Sequence, residues 1–447
     1  MNTQKIQFGF SRKDITPDYP ISLTGYGDDD RRINEHVLTP IVADCLAFTD
    51  SDNNTVLLYT ADLLYPGWSL VSALREAVCK KTGISEDRIM LATTHNHSAP
   101  NTHAATNQGV SQFCDDFVQL LTAAAEEALA DRAPVDIYIG RSQSEKMTFV
   151  RHYIMADGSY AGDNFGNKEQ PIQGHVSPAD EEIQLIRFQR EGKQDVVLMN
   201  WQSHAKSCST ATSEFGKAHR KDLSADFVGY LRQHLEAKTG AVVTYFSGAS
   251  GNLNPDSRIE QECPSRNPDE FSARLADFAM QGLEKMCLVE GTKVASTQQF
   301  VEIPIDHSDD DKIELAKEIW ALWGKDLQLA HDTAKAHGFN NAFATRDIIA
   351  RHHSEASRKV ELNAIGVGGI GFAAVPYEMF CQNGLYVKEQ SQFPMTVVMS
   401  CCNGYHKYFP SQFAFTHGGY EVDSRLYPKG TAEHMAETLV DMLNKQV

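Results

Sequence analysis

Two histidines one residue apart, His95 and His97, stand in the stretch Thr93-Thr94-His95-Asn96-His97-Ser98-Ala99-Pro100. Neutral imidazole is the commonest metal ligand in proteins, so a His-x-His pair can begin a site for a divalent cation. The residues before it, Arg88-Ile89-Met90-Leu91-Ala92, form a short apolar run of the kind that makes a buried strand. Pro100 keeps a helix from continuing the line, so the pair is expected where a strand runs out into a loop. In an extended chain, side chains two apart share a face, which predicts that His95 and His97 converge on one object. The alternative is a pair of loop histidines that are close only in sequence.

The elements that would have to hold such a site recur along the chain. Four times an apolar strand runs into polar or small residues and then into an amphipathic helix. One strand ends at Asp62 and is followed by a helix over 69–81, stopped by Gly83. The next ends at the histidine pair, ahead of a helix over 117–129. A strand over 195–201 then delivers Ser203-His204, and Ser224 caps a helix over 225–237. A strand over 241–246 runs into Ser247-Gly248-Ala249-Ser250-Gly251-Asn252-Leu253-Asn254-Pro255, before a helix over 270–286. Nearer the start, 8–16 reads as an edge strand. Two strands over 39–48 and 55–60 join through Asp50-Ser51-Asp52-Asn53-Asn54, which lacks the glycine and distal glutamate of a calcium loop. In the last third, 311–337 reads as one long helix, and strands over 360–367 and 369–375 lead to Val375-Pro376-Tyr377-Glu378. A strand over 396–401 leads to Asn403-Gly404-Tyr405-His406-Lys407-Tyr408.

This alternation implies an α/β fold, with a largely parallel or mixed sheet and helices on both faces. In such folds the functional crevice lies at the carboxyl ends of the strands. Asp62, His95, His97, His204 and the 248–254 loop all fall there, which argues for one shared site. No repeat or linker interrupts the pattern, so a single large domain over 1–447 is expected.

Composition removes several function classes. Net charge is −18, from 59 acidic and 41 basic residues, which argues against binding nucleic acid or an anionic membrane surface. The nine cysteines are scattered, with no Cys-x-x-Cys, and fit reduced thiols better than a disulfide framework. There is no basic-then-apolar leader and no run of about 18 apolar residues that could span a bilayer. The most apolar stretch, 362–380, is cut by Gly366, Gly368, Gly369 and Gly371. A cytoplasmic protein with a small-molecule substrate and no membrane insertion is expected. The loop 25–36, with Asp28-Asp29-Asp30 and Arg31-Arg32, reads as solvated. His103, His152, His352, His353 and His417 read as surface or loop histidines, and the oligomeric state is not indicated.

Four strand-end segments hold candidate ligands: His95, His204, Glu378 and Tyr408. With Gly9-Phe10 through Asp14-Ile15-Thr16-Pro17, the His-x-His stretch, Asn200-Trp201 through His204, the 247–255 loop, Pro376-Tyr377-Glu378 and Asn403-Gly404-Tyr405 through Tyr408, the chain resembles the neutral ceramidase family, specifically its N-terminal hydrolase domain. The six segments come in the family's order and cover nearly the whole chain. The resemblance implies a zinc-dependent amidase, with His95, His204, Glu378 and Tyr408 as metal ligands. It also implies that His97 and, in Phe149-Val150-Arg151-His152, Arg151 contact the substrate. Two departures stand out. Where the family has a serine in Gly-Asp-Val-Ser-Pro, this chain has Asn254, and it ends near Val447, without room for the family's C-terminal domain. The expected substrate is therefore a small polar amide or ester rather than ceramide.

A bound zinc would supply both a hydroxide at neutral pH and a polarised carbonyl. His97 and Arg151 would donate to the oxyanion or orient the substrate, and Asn254, Tyr405 and Tyr420 are expected to face it. Tyr420-Glu421 either lines the pocket or closes a turn. Asp62 could be a base, a partner to a ligand histidine, or a loop cap. Three rivals remain. One is metal-dependent cleavage of a glycosidic or other sugar-derived bond, and another is a ligand-binding protein without turnover. The third is a serine hydrolase built on Ser250, although Asn252 stands where the nucleophile elbow needs glycine.

Overall fold

A computed structural model describes residues 5–27, 31–163, 165–166, 169–210, 213–259, 262 and 266–447. Asp28, Asp29, Asp30 and Cys263 lie outside the described residues. The other eight cysteines are free thiols.

Most of the strands build two sheets. The larger, nine-stranded sheet runs Val242–Ser247, Val196–Trp201, Glu182–Arg190, Ala133–Gln143, Gln7–Asp14, Val42–Thr49, Thr55–Ala61, Ile89–Thr93, with Cys287–Val289 also paired to Ala133–Gln143. The smaller runs Val294–Pro304, Ser357–Val367, Ile370–Ala374, Met395–Met399. Of the two arrangements the sequence allows, the sheet is the mixed one. Parallel pairing occurs where a helix intervenes, between Thr55–Ala61 and Ile89–Thr93, and again between Val196–Trp201 and Val242–Ser247. The middle of the sheet is antiparallel because its strands are joined differently, some by tight turns. One such turn is held by Asp50, whose carboxylate accepts from the backbone N–H of Asp52 and Asn54, both at 2.9 Å. Strand Gln7–Asp14 is not an edge: it pairs along its length with Val42–Thr49 and touches Ala133–Gln143 at Gln7 and Phe8.

The layers follow from which side chains are apolar on both strand faces. Helices Trp68–Thr82 and Val110–Ala130 bury Leu74, Phe117 and Leu121 with Tyr59 and Leu91 of the large sheet. On the same layer, Asp226–Thr239 and Pro268–Leu283 bury Phe227, Leu231 and Leu275 with Leu185, Met199 and Tyr245. The opposite face, with Phe8, Phe48, Leu58, Ile186 and Phe246, meets the second sheet through Ile365, Phe372, Val397 and Met399. Each such fully buried side chain contributes roughly 1.5–3 kcal/mol. Helix Thr431–Asn444 then covers the far face of the second sheet with Met435, Leu439 and Leu443. Helices thus lie on both outer faces of a two-sheet sandwich. The sheets are also sewn together near their strand ends: Asn200 Nδ2 donates to Phe246 O at 2.8 Å and to Val398 O at 3.0 Å.

Gly83 closes the helix before it in the left-handed conformation (φ 76°), as its position implies. The stretch 311–337 is two helices instead of one, Ile313–Trp323 and Leu327–Ala336. The break is made by Asp326, whose side chain accepts from Leu329 N–H at 3.0 Å and starts a new helix. Helix Ala342–His352 follows, capped by Asn341. No helix among the described residues is long and apolar enough to cross a membrane.

Candidate metal centre

Six strands end around one place. The strand Ile89–Thr93 stops before His95, which takes a left-handed backbone (φ 57°), so His95 and His97 are not brought together by an extended chain as expected. The turn does it instead, and the rings stand 5.2 Å apart. Cys401, Asn403 and Lys407, at the end of Met395–Met399, are also non-glycine residues at positive φ. Such strain persists only where the surroundings over-determine it, and it gathers at functional sites.

The imidazoles are aimed by backbone carbonyls. His95 Nδ1 lies 3.1 Å from Leu64 O, and His204 Nδ1 lies 3.0 Å from Ser250 O and 2.9 Å from Leu253 O. With Nδ1–H donating, each Nε2 carries the lone pair. Both Nε2 atoms face one carboxylate oxygen, Glu378 Oε2, at 3.3 Å from His95 and 3.2 Å from His204. His97 completes a group of three imidazoles whose ligand atoms lie within 4.8 Å of one another. His95 Nε2, Glu378 Oε2 and both ring nitrogens of His97 are buried without a hydrogen-bond partner. Left so, buried lone pairs cost several kcal/mol, roughly 1–3 each by mutational scales. A cation among them removes that cost, and a set of imidazoles with one carboxylate matches zinc chemistry. The residues therefore fit a bound metal.

Electrostatics agree with that fit. Burial, Arg151 and His95 push His204 down to about 3. Burial and the two neighbouring histidines push His97 well below the usual imidazole range. Both rings are neutral at pH 7. Tyr405 OH donates to Glu378 Oε1 at 2.6 Å, and its ring stacks on Tyr65 at 3.8 Å. Tyr408 OH lies 3.3 Å from Arg151 Nη2, and its ring meets Tyr420 edge-on at 5.6 Å. Burial and Glu378 push both Tyr405 and Tyr408 phenols well up.

Arg151 is 7 % exposed and sits beside the cluster. Its Nη1 lies 3.4 Å from His204 Nε2 and 3.4 Å from Asn254 Oδ1, while Nη2 donates to Gly251 O at 2.9 Å. Asn254 donates in turn to Asp163 Oδ2 at 2.5 Å, which Lys206 Nζ approaches at 3.4 Å. Ser250 contributes its backbone carbonyl to His204. Asp62 is drawn elsewhere: Arg232 donates to both of its oxygens at 3.0 and 2.5 Å, and Val42 N–H donates at 2.9 Å. Both of its oxygens are engaged by these donors. His152 is not a surface histidine; it is 2 % exposed and contacts Glu421 Oε2 at 2.7 Å and His417 at 3.0 Å. Glu421, 1 % exposed, meets Arg151 Nε at 2.5 Å. The only sequence signal for it was the Tyr420-Glu421 pair after two glycines.

The molecule described so far is an α/β two-sheet sandwich with a buried imidazole–carboxylate group, at the carboxyl ends of its strands, that can hold a metal ion. Among solved structures it is similar to neutral ceramidase from Pseudomonas aeruginosa, with a TM-score of 0.72 and 16% identity over 99% of this chain and 74% of that one. A ceramidase complexed with C2 matches with the same TM-score of 0.72 and 16% identity, over 99% of this chain and 75% of that one. The chain thus has a neutral ceramidase-like fold. No family model and no curated protein matches its sequence.

Proposed function

We propose that the protein is a zinc-dependent hydrolase that cleaves an amide or ester bond of a small polar substrate and is not a true ceramidase. The observation that carries this reading is the convergence of His95 Nε2, His204 Nε2 and Glu378 Oε2 at 3.2–3.3 Å, with His95 Nε2 and Glu378 Oε2 buried and without a hydrogen-bond partner. His95, His204 and Glu378 would hold the ion, with Tyr408 the fourth candidate. Zinc bound there supplies a water of pKa about 7 and a Lewis acid for the carbonyl. Arg151 Nη1, whose contacts at 3.4 Å are long, has a donor to offer the oxygen on which charge develops. His97, neutral and unpartnered, is free to orient the substrate through either ring nitrogen. Tyr405 steadies the Glu378 carboxylate, and Tyr420 packs behind Tyr408.

A serine attack from position 254 is not open to this chain. The Asn254 amide also has both ends engaged, by Arg151 and Asp163. The polar run Arg151, Asn254, Asp163 and Lys206 beside the cluster supports a polar substrate over a hydrocarbon one. The same run suits hydroxyl groups, which favours cleavage of a glycosidic or other sugar-derived bond as the second reading.

Metal content by elemental mass spectrometry, measured beside hydrolysis of short amides, esters and glycosides, tests the proposal. About one zinc per chain is expected, lost in His95→Ala and His204→Ala together with turnover. Zinc without turnover on any of these bonds would leave a ligand-binding protein. Absence of metal in unstripped protein would sink the mechanism.

A further inference from the structure

A chain of titratable groups, buried up to a half-buried His417, runs away from Arg151 on the side opposite the imidazole cluster. Arg151 Nε lies 2.5 Å from Glu421 Oε1, His152 Nε2 lies 2.7 Å from Glu421 Oε2, and His152 Nδ1 lies 3.0 Å from His417 Nε2. Arg151, His152 and Glu421 are 7 %, 2 % and 1 % exposed. An ionised carboxylate only accepts, so His152 must donate through Nε2. Arg151 and His152 thus both donate to the Glu421 carboxylate. The rings of Phe165 and Phe380 pack at 5.2 and 6.2 Å around His152 and hold it in place.

We propose that Glu421, backed by His152 and His417, is the positioning residue for Arg151, and that it neutralises the guanidinium so that the site selects a neutral carbonyl group over a carboxylate. This rests on the proposed function for what Arg151 does, but not for how it is held. Glu421 takes the Nε edge, and Gly251 O takes part of Nη2 at 2.9 Å. What is left is the Nη1 edge beside His204. Paired in this way, Arg151 brings hydrogen-bond donors without net charge, a poor trap for an anion and a suitable one for an amide or ester oxygen. Removing the Glu421 charge would free the guanidinium to turn and leave a bare cation in the site.

The test uses the full chain loaded with zinc, and the variants Glu421→Gln and His152→Phe. Hydrogen exchange of the Arg151 Nε–H, followed by NMR and assigned with Arg151→Lys, should be slow in the native protein. It should be at least tenfold faster in Glu421→Gln, with a smaller rise in His152→Phe. Acetate, titrated as a carboxylate probe, should bind about tenfold tighter to Glu421→Gln. Hydrolysis of p-nitrophenyl acetate should fall about 10–100-fold in kcat at unchanged zinc content, the usual result of a misplaced group. Exchange and acetate affinity equal to the native values in both variants would overturn the inference. If the native protein neither holds zinc nor hydrolyses the ester, the proposed function fails, while exchange and acetate binding still decide whether Glu421 positions Arg151. Should Glu421→Gln not fold, His152→Phe decides by the same measurements.

Discussion

His95 and His204 owe their direction to backbone carbonyls rather than to other side chains, so their aim depends on nearby main chain staying in place. The third imidazole, His97, is bounded by the main chain at Gly25. That glycine sits at φ 125°, and a Cβ added there would lie 2.8 Å from His97 Nδ1. Gly25→Ala is expected to displace His97, with strain of about 1–3 kcal/mol, and to lower turnover while zinc content holds. Comparing histidine ring signals by NMR with turnover checks this. A variant with native signals and native turnover would show that His97 is not constrained from that side. His95, His204 and Glu378 were legible as strand-end residues because each follows an apolar strand closely, whereas their grouping as one ligand set rested on the resemblance and not on spacing. Glu421 and His152 were not legible, because the partner that gives each its meaning, Arg151 or Glu421, lies on a distant or irregular segment with no periodicity to announce it.

Among the elements, the short helix Tyr420–Asp423 matters beyond its length, because it carries both Glu421 and Asp423. Burial raises the Asp423 carboxyl to about 6, although the Asn340 hydrogen bond at 2.7 Å works against it. A folded-state pKa above the unfolded one gives stability that is complete below pH 4 and is lost as pH rises through about 6. Asp423→Asn should therefore raise the melting temperature at pH 8 and leave it nearly unchanged at pH 4. The gain is on the order of 3 kcal/mol at most, at 1.36 kcal/mol per unit. Equal effects at the two pH values would refute the assignment. The stretch 311–337 reads as one helix because its apolar spacing carries on past Gly324 and Lys325, and only the capping chemistry of Asp326 reveals the break.

Across the whole molecule, the sequence revealed that strands were buried on both faces but not what covered the second face. A parallel sheet under helices and a sheet backed by another sheet both demand near-continuous apolar strands. One ion pair spans these layers: Arg75 on helix Trp68–Thr82 makes a bidentate contact with Glu361 on strand Ser357–Val367, at 3.0 and 2.6 Å. Burial would raise Glu361, but Arg75 and Asn363 prevail and hold it below its usual value. Its contribution is thus present above the ordinary carboxylate range and is lost as pH falls through the lowered folded value. Glu361→Gln should cost about 3 kcal/mol near neutrality, a gap in thermal or urea melts that narrows below pH 4. A constant gap would count against the pair.

Glu378 follows a strand of the second sheet, whereas His95 and His204 follow strands of the first. Before the sheets dock, the carboxylate and the imidazoles belong to separate parts of a chain with many non-local pairings, a topology that folds slowly. On the proposed ligand set, an ion would bind weakly to any half-assembled intermediate and tightly only after docking. Added zinc should therefore act mainly by slowing unfolding, with little effect on the rate of refolding.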